Sequence, residues 1–397
     1  MNGERFAQIT GWGMCVPERV LTNADLAKVM DTTDEWITSR TGIRERRVVS
    51  DAKESTVTLA IRAGREALLT AALPPVELDL VIVATATPEY IFPSTACLVQ
   101  DALGAVNAGA YDLSAGCSGF IYALSAAADA VRSGSADHVL VIGAETLSRI
   151  TDWTDRNTCV LFGDGAGALI VSVRHERCGI LASVLGSDGS GGELLILPAG
   201  GSHAPASHET VSAGEHFIKM NGREVFRFAT TVMPRAAESV VRKAGWHLDD
   251  LKLIIPHQAN TRIIESAVKR LSLPPERFFI NLERYGNTSS ASIPIALCEA
   301  IDEGRISSGD KLALVGFGAG LTWAAVAIEW GVPLPARPQP WYRRVFAHVF
   351  FFLAGLRSTA RRSARRLYHV VAGPVGRPGL SGRIRKAADR LQAWLRR

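Results

Sequence analysis

Short runs rich in β-branched residues alternate along this chain with Ala-rich segments whose apolar positions recur at helical spacing. That alternation predicts stacked α/β layers. The clearest strands of the first half are LDLVIVATAT (residues 78–87), HVLVIGAE (138–145) and GALIVSV (167–173). The second half answers in the same order with LKLIIPHQAN (251–260), KLALVGFG (311–318) and TWAAVAIEW (322–330). Placing VLVIGAE over LALVGFG, a shift of 173 residues, carries Cys117 onto Ser290, each opening a helical stretch. Two pseudo-duplicated halves follow, residues 1–175 and 176–331, with equivalent strand-end loops converging on one cleft. Cys117 of the first half would there face His257 and Asn287 of the second.

The pattern changes after Trp330. GVPLPARPQPW reads as a proline-rich linker. Residues 341–371 begin with aromatics and continue through Arg357, Arg361, Arg362, Arg365 and Arg366, a spacing that clusters guanidinium groups on a helix. A glycine and proline break precedes a last stretch in which Ile384, Leu391, Trp394 and Leu395 form an apolar stripe opposite Arg383, Lys386, Arg390 and Arg397. Residues 332–397 are therefore expected to form a basic, helical tail. The formal net charge of +5 over 397 residues hides this division. From Val332 onward there are 15 Lys and Arg against the single acid Asp389, a net of +14, which leaves −9 for the first 331 residues.

Basic amphipathic helices bearing Trp and Phe suit an anionic membrane surface, so residues 341–397 are a candidate membrane contact. Docking of the tail on the acidic body or on a carrier protein, and a disordered tail, are the alternatives. Nucleic acid is not expected, because no recognition motif accompanies the charge. The longest apolar run, residues 345–356, is 12 residues long and falls short of the ~18 needed to span a bilayer. The N-terminus has no apolar secretory core, and the six cysteines show neither CxxC pairs nor metal-ligand spacing. A reduced, cytoplasmic setting follows, peripheral on the inner membrane face if the tail binds there, with no metal and no resident cofactor.

The segment YDLSAGCSGF (111–120) sets Cys117 between Gly116 and Gly119 where a loop becomes a helix. A helix N-terminus lends a cysteine thiolate character, and the N–H of Cys117 could face a developing oxyanion. His257 stands just beyond a strand, in PHQAN, and Asn287 in YGNTSSAS. Alone, each reads as a hydrogen-bonded structural residue. Together with the thiol, and without a local acid, they suggest acyl transfer in which two neutral donors hold an enolate oxygen during decarboxylative condensation. Papain-like hydrolysis is the rival chemistry, but it needs an orienting acid or amide that nothing local supplies.

DTTDEWITSRTGIRERR, FPSTAC, AGCSGF, TDRNTCVLFGDGAGA, PHQANTRI, YGNTSSAS and GFGAGLTW run in order over residues 5–330 and resemble the β-ketoacyl-acyl carrier protein synthase III family of the thiolase superfamily. The resemblance implies an α/β fold, a five-layer αβαβα sandwich of two related halves. It implies that a short acyl-CoA, a substrate rather than a cofactor, acylates Cys117, and that His257 and Asn287 assist decarboxylation of malonyl-acyl carrier protein. It also implies CoA contacts from Trp36, Arg40, Thr41 and Arg156, and a carrier-protein surface at Arg262, Lys269 and Arg270. Phe92 would limit the acyl pocket across a homodimer interface. Ala319 would give the second oxyanion N–H, although the loop FGAG departs from the family's commoner triple glycine. On residues alone, Trp36 and Arg40 read as a solvated helix face and Phe92 as a core aromatic. A condensing or acyl-transfer enzyme of a specialised pathway is the alternative on this scaffold; a non-catalytic tether is a third reading.

Overall fold

The computed structural model describes residues 4–51, 53–332 and 341–372. The proline-rich linker at 333–340 and the last amphipathic stretch, within 373–397, lie outside the described residues.

Two mixed sheets repeat one strand order. The first comprises β1 (Phe6–Cys15), β4 (Leu80–Ala84), β5 (Gly109–Leu113), β6 (His138–Thr146) and β7 (Asp164–Arg174), ordered β1-β7-β6-β4-β5. The second comprises β8 (Gly179–Ser187), β11 (Leu253–Pro256), β12 (Lys311–Gly318) and β13 (Thr322–Glu329), ordered β11-β12-β13-β8. In each, a parallel pair, β4 with β6 and β11 with β12, is continued on one side by antiparallel strands, and in the first sheet β5 adds a further parallel pairing on β4. Where the first sheet carries β5, the second keeps only the parallel bridge Ile254↔Phe278. Two small ribbons pair β2 (Val20–Thr22) with β3 (Glu45–Arg47) and β9 (Leu195–Ile196) with β10 (Lys219–Met220).

Helices fill the remaining layers. The central pair, α5 (Gly119–Ser133) and α10 (Ser292–Asp302), packs Phe120, Leu124, Ile293 and Leu297 against Ile82, Val141 and Leu169 of one sheet and Ile255, Leu314 and Val326 of the other. Outside the first sheet, α3 (Thr56–Ala71) and α4 (Thr95–Leu103) bury Leu59, Ala63, Val99 and Leu103 on Val81, Val83, Leu140 and Ile142. Outside the second, α7 (Gly222–Lys243) and α8 (Thr261–Leu271) cover Ile254, Ala313, Val315 and Ala325. Successive residues of a central strand thus enter different cores, Val81 and Val83 outward, Ile82 and Ala84 inward. This two-sided burial is why these strands read as unbroken apolar runs. The architecture is a five-layer αβαβα sandwich.

Shorter helices, α1 (Asn23–Leu26), α2 (Asp34–Thr41), α6 (His208–Ser212) and α9 (Leu282–Tyr285), occupy the connections. The tail helix α11 (Trp341–Ala372) docks on α4. No helix of the described residues is long and apolar enough to cross a membrane.

Candidate active site

The sequence places Cys117 at a helix start, and the fold makes that start a 3₁₀ turn, Gly116–Ser118, leading directly into α5. Its counterpart in the second half, Ser289–Ala291, leads into α10. Two glycines are required here by contact. Gly116 has φ +54, and a Cβ on it would lie 2.8 Å from the Ala319 nitrogen; a Cβ on Gly318 would lie 2.4 Å from the Cys117 nitrogen. The loop after β12 therefore runs in backbone contact with the Cys117 turn. Thr322 Oγ1 pins it there, within hydrogen-bond reach of the carbonyls of Ala115 (3.0 Å) and Ala319 (2.9 Å) and accepting from Ser118 Oγ (2.7 Å). Among the described non-glycine residues only Ala72, Ser272 and Ser289 have positive φ, so Ala319 carries its Cβ without the left-handed strain that a glycine position would impose.

The thiol corrects one expectation. Cys117 is only 8% exposed, and burial pushes it up to about 12, against a lowering hydrogen bond from Ser289 and reinforced by the charge of Glu145. Desolvation outweighs what a helix N-terminus contributes. Cys117 therefore rests as a protonated thiol.

His257 follows Pro256, the last residue of β11, and its N–H donates to the Val315 carbonyl at 2.8 Å. Burial alone holds the imidazole down at about 3, so it is neutral. Its Nδ1 lies 2.7 Å from Ser292 Oγ, which accepts the Gln258 N–H at 3.4 Å. In the tautomer where Ser292 gives its proton to Nδ1, the imidazole proton stands on Nε2. Asn287 is anchored through its backbone, donating to Leu161 O (2.8 Å) and accepting from Gly163 N (3.0 Å). Its Oδ1 accepts the Ser289 N–H at 2.8 Å, which leaves Nδ2 as the free, donating end.

Glu145, the last acid of HVLVIGAE, is the site residue that sequence reasoning missed. It is fully buried. Its carboxylate accepts from the N–H groups of Ala86 and Thr87, each at 3.1 Å, and from the hydroxyls of Thr85, Thr87, Ser289 and Ser290. Burial raises its pKa, against these hydrogen bonds, which lower it. The residue straps the 84–87 loop of the first half to the 289–290 turn of the second, directly behind Cys117 and Asn287.

Cys117, His257 and Asn287 line one cavity of about 860 Å³, together with Phe317 and Gly318. Trp36, Arg40 and Thr41 line the same cavity. The Trp36 ring carries the guanidinium groups of Arg40 and Arg156, 4.6 and 5.0 Å from its centroid, although Arg156 itself stands outside the cavity lining. Thr41 is buried, and its hydroxyl is committed to its own helix end, donating to Ile37 O (2.7 Å) and accepting from Ile43 N (3.0 Å). Lys219, Arg223 and Arg262 add positive charge to the lining; of these only Arg262 was singled out from the sequence. Lys269 and Arg270 lie exposed farther along α8. Phe92 does not enter this chain's cavity: it is 85% exposed beside Tyr90 and Ile91.

A buried thiol, a neutral imidazole and a carboxamide lining one cavity between duplicated sheets define a thiolase-like condensing acyltransferase. Comparison with known proteins agrees. The model of 3-oxoacyl-[acyl-carrier-protein (ACP)] synthase III matches residues 111–189, and that of its C-terminal part matches residues 241–330. The chain is 56% identical over 324 residues to beta-ketoacyl-[acyl-carrier-protein] synthase III of Caldanaerobacter subterraneus subsp. tengcongensis, covering 82% of this chain and 98% of that protein. The 3-oxoacyl-[acyl-carrier-protein] synthase III structure from Aquifex aeolicus superposes with a TM-score of 0.76 at 48% identity, covering 82% of this chain and all of that one. The priming beta-ketosynthase of the R1128 polyketide pathway superposes at 0.77 with 37% identity, covering 84% and 98%. The chain belongs to the 3-oxoacyl-[acyl-carrier-protein] synthase III family.

Proposed function

We propose that this enzyme condenses a short acyl-CoA with malonyl-acyl carrier protein to give 3-oxoacyl-acyl carrier protein, the step that initiates fatty-acid synthesis. The observation that carries the reading is the shared cavity of Cys117, His257 and Asn287 with a neutral imidazole, which in the Nε2–H tautomer donates to the substrate. Cys117 Sγ attacks the thioester carbonyl, and CoA leaves with the thiol proton. The malonyl unit then loses CO₂, and its enolate oxygen accepts hydrogen bonds from His257 Nε2 and Asn287 Nδ2. The enolate carbon attacks the acyl-Cys117 carbonyl, the N–H groups of Cys117 and Ala319 hold the oxyanion, and as the C–S bond breaks Cys117 departs as a thiolate that takes one proton from solvent. Each lost oxyanion donor costs on the order of 3 kcal/mol.

Trp36, Arg40 and Arg156 offer a cationic aromatic platform for the CoA nucleotide, and Arg262, Lys269 and Arg270 a basic approach for an acidic carrier protein. Thr41 serves this site through its backbone and helix end. The protein acts as a homodimer in which β5 meets its copy and Phe92 caps the partner's acyl pocket; the unpaired β5 edge and the exposed Tyr90, Ile91, Phe92 and Tyr111 support this. We read residues 1–175 and 176–331 as the two catalytic halves, working in the cytoplasm, with the tail from 332 holding the enzyme at a membrane surface. Intact-mass spectrometry after mixing with acetyl-CoA tests the reading. An acyl adduct that vanishes in Cys117→Ala, and is discharged with CO₂ release on adding malonyl-acyl carrier protein, is expected. No adduct, or an adduct persisting in Cys117→Ala, overturns it.

A further inference from the structure

Among its described residues the tail helix shows two different faces, one of them packed on the body. On the docked face Phe351, Ala354 and Ser358 are 5, 8 and 3% exposed. The Arg65 guanidinium lies 5.2 Å over the Phe351 ring, while Asp101 of α4 accepts from the Ser358 hydroxyl and pairs with Arg362 at 3.4 Å. On the opposite face Val349, Leu353 and Leu356 are 49, 55 and 52% exposed. Their i, i+4, i+7 spacing puts them in one stripe, which exposed Ala360 extends. Arg357 lies beside it, Arg361 and Arg366 on the two flanks of the helix and Arg365, though exposed, at the angle of the docked face; among the described residues no carboxylate pairs with any of the four. Across all 32 residues the helix carries seven arginines and no acid.

We propose that this outward face of α11 seats the enzyme on an anionic lipid bilayer, with Leu353 and Leu356 entering the headgroup boundary and the arginines reaching lipid phosphates alongside. The inference deepens the membrane association proposed above, on which it rests, by assigning it to a face. Three observations favour lipid over another occupant. A stripe of half-exposed aliphatic side chains flanked by arginines offers apolar burial and phosphate pairing together, whereas a nucleic acid would use only the charge. The body, with its net of −9, is repelled by an anionic surface, so the basic tail must be the element that meets it. Finally, α11 lies on α4, outside the first sheet, whereas the cavity is lined by residues of α2, α7 and α8, the last two outside the second sheet. Seating by α11 therefore leaves the cavity open to soluble CoA and carrier protein.

The test is flotation of the full chain with phosphatidylcholine vesicles, with and without phosphatidylserine, at low and high salt. Wild type is expected to float only with the anionic vesicles and to be released by salt. Arg357→Gln/Arg361→Gln/Arg366→Gln is expected to weaken binding about fivefold per arginine, and Leu353→Ser/Leu356→Ser to lower it at low salt while leaving its salt dependence in place. Both variants should condense acetyl-CoA at the wild-type rate in solution, which verifies their fold. If wild type floats but neither variant changes it, while Arg383→Gln/Lys386→Gln/Arg390→Gln/Arg397→Gln abolishes it, this face is not the contact although membrane association stands. If wild type fails to float, both readings of the tail fall and the condensation assay still stands. A Leu353→Ser/Leu356→Ser variant that alters the association state in sedimentation but not vesicle binding would assign the face to a second copy and overturn the inference.

Discussion

Replacing Glu145 by Gln should make Cys117 more reactive. The carboxylate reaches the thiol through Ser289, two hydrogen bonds in series, hence about 6 Å away. At an effective dielectric of about 20 a unit charge at that distance opposes thiolate formation by ~2–3 kcal/mol, worth one to two powers of ten in the thiolate population. The substitution is sterically tolerated. The amide oxygen can take the position that accepts from Ala86 N and Thr87 N, and its NH₂ then faces the Ser289 and Ser290 hydroxyls. Ser290 can turn its proton to Ala84 O, 2.8 Å away, and Ser289 can give its own to the Cys117 sulfur. The assay is iodoacetamide alkylation of Cys117 followed by intact mass between pH 7 and 9. Wild type, with its thiol pushed up to about 12, should react slowly across this range. Glu145→Gln should react at least about tenfold faster at each pH, while its melting temperature stays close to wild type. Equal alkylation rates would mean that no charge at Glu145 acts on the sulfur, and the reasoning would fail.

Asn287→Asp keeps the shape and the bond from Ser289 N but replaces the Nδ2 donor with an anionic acceptor. It should leave Cys117 acylation measurable by mass spectrometry and slow decarboxylation of malonyl-acyl carrier protein by a factor of about 100 or more. Because the His257 pKa is held at about 3, condensation followed from pH 8 down to 5 should show no inflection near the ordinary histidine value of 6.5; an inflection there would place a titrating imidazole in the site. The same shift bears on stability: between those two values the unfolded chain holds a proton that the folded chain lacks, so this residue contributes a loss of stability as pH falls through the window. Gly318→Ala would drive a Cβ to 2.4 Å from the Cys117 nitrogen and should abolish acylation, whereas Gly189→Ala, with open space around it, should melt and react like wild type.

The trio was legible because each member stands at a strand end where turn residues hand the chain to a helix, and because the two halves write the same order of elements. The second sheet's fifth strand was not, since only the bridge at Phe278 remains of it. Glu145 was missed for a physical reason. A glutamate closing an apolar strand reads as a solvated end, and it becomes a buried acceptor only when the loops after β4 and before α10 close over it. The CoA platform is equally silent in the pattern: Trp36 and Arg40, four apart on an exposed helix, carry the same spacing as any surface pair, and only family resemblance distinguished them. For α11 the sequence predicts the helix but not its docked face, because apolar residues lie on both sides of it.

In the proposed mechanism, Glu145 and the neutral pair of His257 and Asn287 are two parts of one electrostatic arrangement. Decarboxylation creates a negative charge that must be stabilised more strongly in the transition state than in the bound malonyl group. A cationic histidine would attract the substrate carboxylate as well as the enolate and favour the charge about to be expelled as CO₂. A neutral Nε2–H and a neutral Nδ2–H respond chiefly to the oxygen on which charge develops, in a site too buried for water to compete. Glu145 completes the arrangement by holding the turn that orients Asn287 while disfavouring a free Cys117 thiolate. That penalty vanishes once the sulfur is acylated, so the charge that restrains the resting nucleophile no longer acts on it during condensation and returns when Cys117 leaves. The Gln variant should therefore alkylate faster yet release product with altered partition between the two half-reactions, a separation that rapid-quench measurement of acyl-enzyme build-up resolves.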